Sequence, residues 1–98
     1  MGDSWKAMAD GSRRQILLLL KDGEKTPGEI SGNFDFSKPA LSTHLRVLRE
    51  AGLVAERKVG QNRFYSLRTE RLAEMTRFFD VFWDENLRRL KRHAEGKR

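Results

Sequence analysis

The chain has 98 residues, a net charge of +6 and no cysteine. That length makes one domain with a modest core, and the missing thiols exclude disulfides, thiolate nucleophiles and thiolate metal ligands. The longest apolar run, Ile16 to Leu20, is too short to span a membrane, and the opening Met-Gly-Asp-Ser-Trp-Lys lacks both a signal-peptide apolar region and a myristoylation hydroxyl. A cytoplasmic protein without membrane insertion is therefore expected.

Residues 3–10 predict a short helix with Trp5 and Met8 three apart; two turns cannot stand alone, so this segment must pack on something larger. Gly11 and Ser12 interrupt it. Ser12 can then cap a second helix, Arg13 to Lys21, whose run Ile16-Leu17-Leu18-Leu19-Leu20 is apolar on every side. Such a run predicts a central helix buried nearly all round. Thr26, Pro27 and Glu29 occupy the N-cap, N1 and N3 positions of a capping box. They start a short helix through about Asn33, with Ile30 and Phe34 on its inner face.

The stretch from Ser37 to Leu67 organises the rest. Residues 37–51 predict a helix with Ser37 at the N-cap, Pro39 in the first turn and Gly52 closing it. Leu41, Leu45 and Leu48 form one apolar stripe, which leaves Lys38, Ser42, Thr43 and Arg46 facing elsewhere. His44 falls near the edge of that stripe. Beyond Gly52 the period changes to about two: residues 53–59, the turn signal Gly60-Gln61-Asn62, then residues 63–67. That is a hairpin with basic residues around its tip. Two short helices joined by a tight turn and followed by a basic hairpin make a winged helix-turn-helix, a mainly α fold of about five helices. Charge clusters in the same place. Between Ser37 and Arg68 seven basic residues face two acids, and the tail from Arg88 to Arg98 holds six basic residues and one acid. Clustered positive charge on such a layout predicts binding to double-stranded DNA, against the plainer alternative of a solvated basic surface.

From Thr69 to about Glu95 a long helix is predicted. Its apolar residues, Leu72, Met75, Phe78, Phe79, Phe82, Trp83, Leu87 and Leu90, cover close to half the circumference. The preferred reading is a homodimer interface of Met75, Phe78, Phe79, Phe82 and Trp83, joined by Trp5 and Met8. A wide core stripe is the alternative. The chain thus divides into a DNA-binding core, 5–67, and a dimerisation helix, 69–95, within a single domain, 1–98.

No Gly-rich phosphate loop, His-Glu-x-x-His or nucleophile elbow occurs, and His44 and Ser42, two apart on a helix, point in different directions. An enzyme is not expected. The rival readings are a nonspecific architectural DNA-binding protein and a winged helix used for protein contact. Small side chains at Ser42 and Thr43 beside Lys38 favour base reading, because they permit close approach to base edges.

The blocks Ala7-Met8-Ala9-Asp10-Gly11-Ser12-Arg13-Arg14-Gln15-Ile16-Leu17, Glu29-Ile30, Ser37 to Leu45, Leu48 to Val54 and Gly60 to Leu67 resemble, in order and spacing, the ArsR-type repressors. The likeness is closest to their metal-free, SdpR-like autorepressor branch. It implies a homodimeric winged helix-turn-helix repressor on a partly palindromic operator. Carried over by position, Lys38, Ser42 and Thr43 would meet the major groove, with Ser37 and His44 beside them and Arg46 on phosphate. His44 also admits a packed role. Arg57, Lys58 and Arg63 would reach the flanking backbone or minor groove, while Tyr65 is expected at the hairpin base. Metal-sensing relatives carry Cys-x-Cys where this chain has Thr26 and Gly28, and neither residue can ligate a soft metal. On the last helix Asp80 and Asp84 have no His partner beyond His93, so no sensory metal and no cofactor are expected. The off-switch stays open among a sequestering membrane partner, a small ligand at the dimer interface and a change in concentration.

Overall fold

The computed structural model describes residues 2–96; the side chains of Asp84, Leu87 and His93, which the sequence singles out, lie outside the described residues. The elements run α1 (Gly2–Met8), α2 (Gly11–Leu20), α3 (Pro27–Ser31), α4 (Lys38–Glu50), β1 (Val54–Val59), β2 (Asn62–Leu67) and α5 (Thr69–Gly96). The two strands pair antiparallel from Val54↔Leu67 to Val59↔Asn62. This is the winged helix-turn-helix that the helix and hairpin signals predict.

Two expectations for α2 are corrected. Its cap is Asp10, whose carboxylate accepts the Arg13 amide at 3.1 Å, and not Ser12. A carboxylate at a helix N-terminus satisfies an orphan donor and also meets the positive end of the dipole. The same backbone bond holds the Asp10 carboxyl below its ordinary pKa. Nor is α2 buried all round. Ile16, Leu17 and Leu20 are buried, but Leu18 is 56% exposed. The helix packs between α1, α4 and β2 on one side only.

The capping box of α3 forms as read: Thr26 Oγ1 accepts the Glu29 amide at 3.2 Å and the Glu29 carboxylate accepts the Thr26 amide at 3.0 Å. The helix is shorter than expected, ending at Ser31. Phe34 stacks on Phe36, ring centroids 5.0 Å apart, in the turn that follows. Ser37 caps α4 through the Ala40 amide at 3.2 Å. Leu41, Leu45 and Leu48 are buried against the core. Each such leucine contributes roughly 2–3 kcal/mol relative to an exposed position. The hairpin turn is Gly60-Gln61, with Gly60 at φ +61°; Asn62 already pairs with Val59.

Three ties that the sequence did not suggest hold these elements together. Ser4 is fully buried and its hydroxyl donates to the Ala51 carbonyl at 3.1 Å, fastening α1 to the end of α4. Arg13 donates from Nε to Ala7 O at 2.8 Å and from Nη2 to Lys6 O at 3.2 Å, clamping the carbonyl end of α1. Lys25 and Tyr65 exchange two backbone bonds, 3.0 and 2.8 Å, so the segment between α2 and α3 lies against β2 like a third strand.

Among the described residues, the helix α5 joins this core through its first turns. Met75 is buried and Leu72 packs beside it. Beyond them Phe78, Phe79, Phe82, Trp83 and Leu90 are all exposed, and the molecule extends 62 Å along its longest axis. They are no core stripe within one chain.

At the close of α4, Gly52 sits at φ +77°, and a Cβ there would meet only the flexible end of Arg71 at 3.4 Å. The backbone conformation, rather than crowding, makes glycine necessary. Gly52→Ala should cost about 1–2 kcal/mol, measured by denaturant unfolding. A neutral result would show that the turn relaxes without it.

Candidate nucleic-acid interface

The register of the hairpin divides its side chains between two faces. Val54, Glu56 and Lys58 share one face with Leu67, Tyr65 and Arg63; Ala55, Arg57 and Val59 share the other with Ser66, Phe64 and Asn62. Val54 and Tyr65 are buried, so the first face is the one turned to the core and to α4. Between this face, α3 and α4 lies a cleft of about 470 Å³, with Lys38, Ser42, Arg46, Arg49, Arg63 and Tyr65 on its walls.

One carboxylate fastens the two sides of that cleft. Glu56 Oε2 accepts from Arg49 Nη1 at 2.6 Å and from the Tyr65 hydroxyl at 3.1 Å, and its Oε1 lies 3.8 Å from Arg63 Nε. Burial raises the Glu56 pKa, but the hydrogen bonds from Tyr65 and Arg49 and the nearby guanidinium charges outweigh it, so the net shift is downward. Burial and the bond to Glu56 raise the Tyr65 pKa. Of the neighbours Phe64 and Tyr65 it is Tyr65, the residue expected to pack inward, that is buried.

The sequence-predicted site residues fall into three groups. Lys38, Ser42, Thr43 and Arg46 are all exposed on α4: Ser42, Thr43 and Arg46 are turned from its buried leucines, and Lys38 stands in its first turn. Lys38, Arg46 and Lys58 form no ion pair among the described residues. Ser37 is exposed at the same helix end, but its oxygen already serves the cap. His44 is half-buried on the flank of α4, its Nδ1 3.5 Å from Arg13 Nη1 and its ring 5.3 Å from Phe36. Arg57 pairs with Glu24, on the hairpin face away from α4.

The residues assigned to a dimer surface also separate. Phe78, Phe79, Phe82 and Trp83 are exposed. Trp5 packs edge-on against Phe78 and Phe79, with centroids 5.6 and 5.3 Å away, so α1 and α5 do form one continuous aromatic surface. Met8 is half-buried in a hollow shared with Leu17, Leu67 and Leu72. Met75 is enclosed in this chain's own core and offers no free area.

A helix-turn-helix with an exposed polar helix and a hairpin beside it defines the winged-helix class. Residues 10–56 match the model of the arsR family of bacterial regulatory proteins. The transcriptional repressor SdpR of Bacillus subtilis is 44% identical over 69 residues, covering 70% of this chain and 77% of that one. A crystal structure described as a possible transcriptional regulator for arsenical resistance matches with a TM-score of 0.76 at 43% identity, covering 90% of this chain and 92% of that one. A homodimeric winged helix-turn-helix DNA-binding domain from Mycobacterium bovis, studied by NMR, matches with a TM-score of 0.69 at 32% identity, over 88% and 80% of the two chains. The chain belongs to the ArsR family.

The depressed Glu56 pKa has a consequence with a definite sign. Its stabilisation is complete above the unfolded carboxyl value of about 4.3 and is lost as pH falls through the lower folded value. Thermal unfolding followed from pH 7 down to about pH 3 should show the wild type losing more stability than Glu56→Gln, which starts lower by about 1–2 kcal/mol. Parallel curves would mean that the carboxylate is not held as described.

Proposed function

We propose that this protein is a cytoplasmic, homodimeric transcriptional repressor, its own gene among its targets, that catalyses no reaction. The observation that carries the reading is the placement of its free charge. Of the basic residues between Ser37 and Arg68, the three without an acidic partner among the described residues sit on the exposed side of α4 (Lys38 and Arg46) and on the wing (Lys58). Lys38, Ser42 and Thr43 enter the major groove and read base edges; Arg46 and Ser37 meet phosphate at its rim, and His44 supports the helix from its flank. Lys58 and Arg63 follow the backbone or minor groove beside it. Residues 5–67 are the DNA-binding core and residues 69–95 the dimerisation helix, which pairs two copies through Phe78, Phe79, Phe82 and Trp83 with Trp5 and Met8 at the edge. Two copies read the two halves of a partly palindromic operator.

Family membership and the homodimeric state described for the Mycobacterium bovis domain support this assembly. The exposed aromatic surface supports it independently, since a run of apolar area on that scale marks a partner surface.

The test is affinity for the protein's own promoter against random duplex of equal length at about 150 mM salt. A preference of about a thousandfold or more is expected. Equal binding that collapses as salt rises would point to an architectural binder instead. Thr43→Ala should relax that preference, whereas Lys58→Ala should weaken operator and random DNA alike. Equal losses on both duplexes for Thr43→Ala would remove it from the base-reading set. Phe82→Asp with Trp83→Asp should give a monomer, read by light scattering, that loses most operator affinity. A wild type already monomeric at micromolar concentration would overturn the dimer.

A further inference from the structure

The wing's cations are not equivalent. Lys58 and Arg63 project from the hairpin face that carries Glu56 and Tyr65, and Arg57 from the opposite face, beside Phe64. There its guanidinium is engaged twice. Nε lies 3.4 Å from Glu24 Oε2 while Nη2 donates to Oε1 of the same carboxylate, and Cζ stands 5.0 Å from the Phe64 ring centroid. Glu24 is placed by backbone, not by chance. Its neighbour Lys25 is locked to Tyr65 by two main-chain hydrogen bonds, so alternation turns Glu24 to the face that carries Phe64. A single exposed ion pair contributes little. A two-point arginine–carboxylate pair stacked on an aromatic ring is different, because each contact holds the others in one geometry. The hydrogen bond and charge of Glu24 also raise the Arg57 pKa.

From this arrangement we infer that Arg57 is a positioning residue and not a phosphate contact: with Glu24 and Phe64 it forms a strut that fixes the wing to the segment between α2 and α3. Contact with DNA from the wing falls to Lys58 and Arg63 on the face turned toward α4. The strut opposes the Glu56 linkage across the hairpin. One carboxylate holds each face, and together they set the angle at which the wing meets the duplex. The inference rests on the reading of the wing as a DNA-contacting element.

The deciding experiment exchanges the charges. Operator affinity is measured against salt for wild type, Arg57→Gln, Arg57→Glu, Glu24→Arg and the double variant Glu24→Arg with Arg57→Glu. A strut predicts that Arg57→Glu weakens binding about tenfold or more and that the exchanged pair recovers to within about threefold of wild type, with Arg57→Gln keeping the wild-type salt slope. A phosphate contact predicts the reverse. The exchanged pair would stay as weak as Arg57→Glu, and the slope for Arg57→Gln would fall by about 0.9. Thermal unfolding of the same variants is read in parallel. Recovery of Tm in the exchanged pair supports the strut, and additive losses overturn it. Should wild type bind no operator at all, the DNA reading fails, and the unfolding series still decides whether the strut exists.

Discussion

Among the described residues, Glu56 is the one carboxylate to which a helix and a strand are both tied. Arg49 reaches it from α4, Tyr65 and Arg63 from β2, at 2.6, 3.1 and 3.8 Å. Hydrophobic burial seats α4 through Leu41, Leu45 and Leu48 and seats the hairpin through Val54 and Tyr65. Burial is non-directional, however, and leaves the wing free to rock about its base. The charged bonds to Glu56 are directional, and they convert two separately seated elements into one rigid face. The proposed reading of base edges by Ser42 and Thr43 with an anchor on the wing needs that rigidity, because a small tilt would move the anchor off its phosphate.

Electrostatics then follows from pairing rather than from totals. The seven basic residues of residues 37–68 look interchangeable as a charge count. In the fold Arg49 and Arg63 serve Glu56, Arg57 serves Glu24 and Arg68 lies 3.8 Å from Glu70. Four of the seven stand beside a carboxylate, and of these Arg63, 3.8 Å from Glu56 and still exposed, keeps a free side for the proposed contact with the duplex. The cations left for a polyanion are fewer, but they are sited where the exposed helix and wing can use them. The long helix α5 obeys the same economy of roles: its first turns supply core, and its aromatic remainder is available to a second copy.

Much of this was legible in the residues. The capping box at Thr26, the Ser37 cap, the leucine stripe of α4 and the glycine at its close are local devices, and each formed where local chemistry placed it. What the sequence could not reveal was tertiary. Asp10 displaced Ser12 as the cap of α2 because the helix starts two residues earlier, at Gly11, where the Asp10 carboxylate accepts the Arg13 amide. Leu18 proved exposed because a run of leucines gives no period by which to tell the buried side from the outer one. Ser4 and Glu24 were invisible because their partners lie far along the chain. For Ser4 the hydrogen-bond partner is 47 residues away and for Glu24 it is 33. The one available hint was Arg13 itself, part of the ArsR-like opening block, whose guanidinium closes α1 and approaches His44. On α4, Ser42, Thr43 and Arg46 stood out because helical periodicity separates them from the buried stripe, whereas Lys38 is exposed by its place in the first turn. Arg57 could not be separated from Lys58 without knowing what lies behind each face of the hairpin.

The measurement that bears most directly on this account is a hydroxyl-radical footprint on the duplex that the protein selects from a random pool. Two protected half-sites are predicted, related by two-fold symmetry and centred about 10–10.5 base pairs or a multiple apart. Protection should extend outward under each wing and disappear from the variant with Lys38, Ser42 and Thr43 all replaced by alanine. Failure to select any sequence, uniform protection without register, or a footprint that survives the triple replacement would contradict α4 and the wing as the reading surface.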